Sequence, residues 1–130
     1  MSDIVEVLRK SPDYIGGRGR SYTEIESAEK NLEIKFAPDY RKYLKEIGLV
    51  SFDGHELTGI SKNPRLNVVD VTTSKREIYP QAGKWYVVEE ANIDGIVIWQ
   101  DIDGKIFITG DKIKSKHIAN SLIEYIKNVL

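Results

Sequence analysis

The order of elements in this sequence predicts an α+β fold: an antiparallel or mixed β-sheet with helices packed on it, helices first and a helix last. Three observations carry that expectation. Apolar residues recur at helical spacing before Gly48, strand-like runs follow from Val50 to Thr109, and a helical stripe returns near the C-terminus. Strands and helices segregated in this way indicate an antiparallel sheet rather than an alternating βαβ design.

Ile4, Val5, Val7 and Leu8 form a short apolar cluster that suits a brief helix. It must stop before Ser11-Pro12, because the residue preceding proline is pushed out of the α region. Gly16-Gly17-Arg18-Gly19-Arg20 reads as a mobile loop. Thr23 with Glu26 has the spacing of a capping box, and Ile25, Ala28 and Leu32 supply one apolar face. Pro38 suits a first helical position, since its missing N–H has no partner there. Tyr40, Tyr43, Leu44 and Ile47 continue that helix, and Gly48 is placed to end it.

Beyond Gly48, Val50–Phe52 and His55–Thr58 flank Asp53-Gly54, a hairpin signal because a type I′ turn needs positive φ at both central residues. Leu66–Val71 is predicted as a strand and Thr72–Ile78 as a helix ending near Pro80. Trp85–Glu89 reads as a strand. Ile96–Trp99 and Lys105–Thr109 read as a second hairpin around Asp103-Gly104. Their consecutive apolar residues imply cover on both faces. The last helix is expected to begin at a Ser115 cap, with Ile118, Leu122, Tyr125, Ile126 and Val129 as its buried stripe. No repeat or low-complexity linker divides the chain, so residues 1–130 are expected to form one domain.

Composition narrows the function. Hydrophobic residues make up 41% and charged residues 30%, with 19 Lys plus Arg against 20 Asp plus Glu. A net charge of −1 gives no global attraction to nucleic acid, so direct binding to it is not expected. With no cysteine, disulfides, thiolate nucleophiles and Cys-ligated zinc are excluded. Met1-Ser2-Asp3-Ile4-Val5-Glu6 has acids where a secretory signal needs bases. No apolar run approaches the ~20 residues of a membrane span. A cytoplasmic protein without membrane contact is expected.

Catalytic and metal chemistry find little support. The two histidines, His55 after a hairpin turn and His117 near the start of the last helix, read as solvent-facing. Neither has the i, i+4 partner of a zinc motif. Asp101-Ile102-Asp103-Gly104 lacks the sixth-position Gly and twelfth-position Glu of a calcium loop. The Gly16–Arg20 loop lacks the Gly-Lys-Ser/Thr ending of a phosphate loop. Glu89 and Glu90, adjacent on a strand, should point to opposite faces and not converge on a substrate. Hence no catalytic residue, metal or cofactor is expected.

A charge pattern remains. From Glu89 to Asp103 the acids Glu89, Glu90, Asp94, Asp101 and Asp103 occur without an intervening Lys or Arg. If the hairpin ends lie together, these acids with Asp53 and Glu56 would form a negative field that steers a basic partner. Those seven residues are the candidate partner-binding set. Trp85 or Trp99 would be an aromatic anchor if exposed, although both sit within strands and read first as core.

Several segments together resemble the SUKH superfamily. They are Tyr22–Glu29 with Leu32, Ala37-Pro38-Asp39-Tyr40-Arg41-Lys42-Tyr43-Leu44, Gly48, Glu56–Ile60, Asp70–Thr73, the Ile96–Gly104 hairpin and Ile118–Ile126. That superfamily includes bacterial immunity proteins and fungal cell-wall assembly regulators. Ile47-Gly48 stands where the family often has Asn-Gly, and Ala37 replaces the usual Leu before proline. The resemblance implies a helix-packed sheet without catalytic residues. It also implies a cytoplasmic immunity protein that binds and neutralises a cognate toxin of the LXG type, commonly a nuclease. An intracellular adaptor related to the cell-wall regulators is the alternative, and a small-molecule enzyme a third. No site residues transfer from the resemblance.

Overall fold

The computed structural model describes residues 3–91 and 93–130, so the reading of the N-terminus at Met1 and Ser2 lies outside the described residues. Five helices are described: α1 (Ile4–Arg9), α2 (Tyr22–Leu32), α3 (Pro38–Glu46), α4 (Val68–Ile78) and α5 (Leu122–Val129). The strands are β1 (Ile15–Gly16), β2 (Val50–Phe52), β3 (His55–Leu57), β4 (Tyr86–Glu90), β5 (Val97–Gln100), β6 (Ile106–Gly110) and β7 (Ile113–Ala119). They form a single sheet in the order β1 to β7, every neighbouring pair antiparallel. The fold is α+β, with helices first and last.

The sheet separates two apolar clusters. On one face α1, α2, α3 and α5 pack Leu8, Ile25, Tyr40, Leu44, Leu122 and Ile126 against Tyr86, Val88, Ile98 and Ile106. The other face carries a smaller cluster of Val71, Ala82, Val87, Val97 and Trp99 beneath α4. This is why β5 is apolar at successive positions: all of its residues are buried, with cover on both sides.

The Asp53-Gly54 turn forms as expected, with φ of 44° and 80°, and Gly48 ends α3 at φ 78°. Other expectations require correction. The capping box of α2 is Ser21 with Glu24 rather than Thr23 with Glu26: Glu24 N donates to Ser21 Oγ at 3.1 Å, and Ser21 N donates to Glu24 Oε1 at 3.0 Å. Both pairs have the same spacing, so sequence alone could not fix the first turn. Ser21→Ala is therefore expected to lower stability by about 1 kcal/mol, read as a drop in thermal midpoint that Thr23→Ala does not reproduce.

The glycine-arginine segment is strapped down rather than mobile. Ile15 and Gly16 pair with Ser51 and Val50. Gly17 N then donates to Leu49 O at 2.7 Å and Arg20 N to Leu44 O at 2.9 Å. A Cβ on Gly19 would fall 2.1 Å from the Lys45 carbonyl oxygen, so the glycine there permits close backbone approach.

Leu66–Val71 is not a strand. Helix α4 starts at Val68 and buries Val68, Val71 and Thr72, an i, i+3, i+4 set that outweighs the strand preference of valine. Thr72 then accepts a hydrogen bond from Val87 N at 3.0 Å, tying helix to sheet. Likewise Ser115 caps no helix. It lies in β7, and α5 starts later, with Ser121 accepting from Glu124 N at 3.0 Å. Lys114 and Lys116 are exposed on that edge strand, a placement that discourages pairing with another chain. His117 consequently sits on a strand and not at a helix start.

One polar cluster joins the layers. Asp39 accepts from Gln100 Nε2 at 3.0 Å and from Leu122 N at 2.8 Å, linking α3, β5 and the start of α5. Tyr86 donates to Gln100 Oε1 at 2.6 Å and accepts from Ala37 N at 2.9 Å.

Candidate functional site

The antiparallel order decides which acidic residues can share a surface. The β2–β3 and β4–β5 turns lie at the same end of the sheet, and the β5–β6 turn lies at the opposite end. Asp53 and Asp94, both exposed and at positive φ, thus occupy one end. Asp101 and Asp103 occupy the other, where Asp101 Oδ1 accepts from Asp103 N at 3.0 Å and Lys105 N at 2.9 Å and organises its own turn. The two hairpin ends do not lie together, so the seven acids do not form one continuous patch.

Glu56 is exposed and paired with Arg65 at 3.2 Å, while Glu90 meets Lys75 at 3.7 Å. Glu89 differs from all of these, being only 4% exposed. Its placement follows from a bulge. Val87 pairs with Trp99 and Glu89 with Ile98, leaving Val88 as an extra residue in β4. An extra residue interrupts the strict alternation of side chains. Val88 and Glu89 therefore both serve the α5 side of the sheet, and Glu90 turns to α4. The two carboxylates take different partners, although both residues border the same cleft.

On the α5 side Glu89 holds two partners. The Tyr125 hydroxyl donates to Oε1 at 2.5 Å, and His55 Nδ1 lies 2.7 Å from Oε2. Burial, the neighbouring Glu89 charge and the hydrogen bond to it keep the Tyr125 phenol protonated well above the ordinary phenol range. His55 is partly buried and stacks near Phe52, with ring centroids 5.5 Å apart, so it is not the solvent-facing residue expected. His117 is exposed and leans on Phe107 at 5.5 Å.

Glu89, His55 and Tyr125 line a cleft of about 420 Å³ whose apolar wall is Ile96, Ile98, Ile108, Ile118 and Val129. Apolar walls with a few convergent polar groups are the usual composition of a recognition site. Among the described residues its lining includes no Ser, Thr, Lys or Arg. Among the described residues no group of three or more His, Asp or Glu is placed to hold a metal ion. No described helix is long and apolar enough to cross a membrane.

Sequence reasoning missed this cluster for two reasons. Periodicity marked Tyr125 only as core, and the turn of Glu89 depends on a bulge that has no residue signature. Of the tryptophans, Trp99 is fully buried, whereas Trp85 is half-buried and stacks on Phe107 at 4.0 Å.

Residues 1–130 match the SUKH_5 family model, described as SMI1-KNR4 cell-wall. No curated protein matches the chain.

Proposed function

Since this chain belongs to the SUKH family, we propose that it is a cytoplasmic immunity protein that binds a toxin protein and neutralises it without chemical turnover. The observation that carries this reading is the family match over the whole chain, because SUKH members include immunity proteins. The cleft supports a binding role in that it sets a buried carboxylate, a histidine and a tyrosine at one end of an apolar wall, the composition of a recognition site.

The contact surface in this reading is the end of the sheet that carries Asp53, Glu56 and Asp94 around the cleft; Asp101 and Asp103 lie too far along β5 to join it. The exposed carboxylates of Asp53 and Asp94 would complement the basic groove by which a nuclease holds phosphates. The toxin is accordingly proposed to be a nuclease of the LXG type.

Co-expression in a bacterial host with a panel of such toxin domains tests this. Restored growth together with a stable one-to-one complex is the expected result. Continued killing by every toxin, with no complex formed, contradicts it. The cell-wall description of the matched family favours a second reading, an adaptor that grips a cellular protein. Loss of cell-wall integrity on deletion, with no toxin neutralised, would select that reading.

A further inference from the structure

Glu89 is a carboxylate at 4% exposure that faces no lysine or arginine among the described residues. Its neighbours in the lining, Glu56 and Glu90, are already engaged by Arg65 and Lys75. A carboxylate offers about four lone-pair sites, and Tyr125 and His55 occupy one on each oxygen. Acceptor capacity is therefore left at the polar end of a cleft whose remaining wall is aliphatic. Desolvating a carboxylate is costly unless it is paired and hydrogen-bonded, and His55 is the one basic side chain within ion-pair distance of Glu89 among the described residues.

We propose that this cleft receives one lysine or arginine side chain of the protein that the domain binds. The aliphatic stem would lie along Ile98, Ile108 and Ile118, and the cation would reach Glu89. Long basic side chains suit such a site, since their methylenes pack on apolar surface while the head seeks charge. The cleft volume of about 420 Å³ lies within the range of small-ligand sites. A larger recess of about 690 Å³ beside α2, around Ile34 and Ile102, is a weaker candidate, because Lys30 and Lys35 oppose its carboxylates. The assignment rests on the binding role proposed above and names the partner chemistry that role requires.

The test uses the full chain and n-butylguanidinium, an arginine head on a short stem, followed by amide chemical shifts. Saturable shifts are expected at Gly54, His55, Glu89, Ala91 and Ile96, with affinity at least about tenfold above that of n-pentanol or pentanoate. Glu89→Gln keeps the side-chain shape and should abolish that margin while the fold-wide spectrum persists. Should Glu89→Gln fail to fold, Ile98→Val, which widens the wall, should weaken the probe about two- to tenfold. Equal binding of pentanol, or unsaturable shifts scattered over surface acids, would overturn the proposal. So would a diamine such as putrescine binding more than about tenfold tighter than the monocation, which would indicate a small-molecule site. The outcomes separate from those of toxin rescue: a neutralised toxin with an empty cleft defeats this inference alone, and a filled cleft with no toxin rescued defeats only the immunity role.

Discussion

Replacing Trp99 by alanine is expected to remove about 3–5 kcal/mol of stability, the largest loss from any single side chain considered. Trp99 is fully buried in the centre of β5 and is the largest member of the smaller cluster, between Val71, Val87 and Val97. Its indole Nε1 donates to Thr109 Oγ1 at 2.8 Å, which fixes β5 against β6. Alanine leaves a cavity the size of an indole under α4 and removes the partner of a buried hydroxyl. Domains of this size have only about 5–15 kcal/mol in total, so the variant should sit near its folding limit. Urea unfolding followed by far-UV circular dichroism measures the midpoint shift. Trp85→Ala provides contrast: Trp85 is half-buried, so its loss should cost visibly less. Equal effects would mean that the deeper burial of Trp99 contributes little.

The second large effect is alkaline unfolding. Tyr40, Tyr43 and Tyr86 are fully buried, and burial holds all three phenols protonated above the ordinary range. Tyr125 is raised in the same direction. In the unfolded chain these phenols ionise near pH ~10. Below that pH both states keep the protons, and the stability from this source is fully present. Above it the unfolded chain releases protons that the folded chain retains, so stability falls as pH rises. Each such tyrosine contributes up to about 1.4 kcal/mol per pH unit, and together the four make the loss steep between pH ~10 and ~12. Phenolate absorbance should appear in one cooperative step coincident with loss of secondary structure. Gradual ionisation of these tyrosines in a still-folded chain would show that they are more accessible than the structure places them.

The same buried aromatics show what the sequence could reveal. Tyr40, Tyr43 and Leu44 recur at helical spacing, and that spacing led directly to α3 and its Gly48 stop. Asp53-Gly54 and Asp103-Gly104 likewise marked their hairpins, because the positive φ at Asp53, Gly54 and Gly104 restricts the residue types that fit. Errors arose where local preference conflicted with packing. Val68 and Val71 favour a strand in isolation, yet they line a helix because Thr72 and its neighbours close over Val87. Ser115 resembled a helix cap until β7 claimed it, since an edge strand bearing lysines has no apolar alternation to announce it.

The candidate site was legible only in part. Glu89 was singled out for its charge, but its burial beside His55 and Tyr125 follows from one extra residue in β4. That bulge brings together side chains 34 and 36 positions apart. The acidic series also appeared continuous along the chain, whereas β5 carries its two parts to opposite ends of the sheet.

A titration of purified toxin with this protein tests the central claim most directly, with residual toxin activity as the readout. Inhibition should increase linearly and reach completion at one equivalent, the toxin being recovered active after the complex is dissociated. Complete inactivation by a small fraction of an equivalent, leaving a chemically altered toxin, would contradict a protein that acts by binding alone.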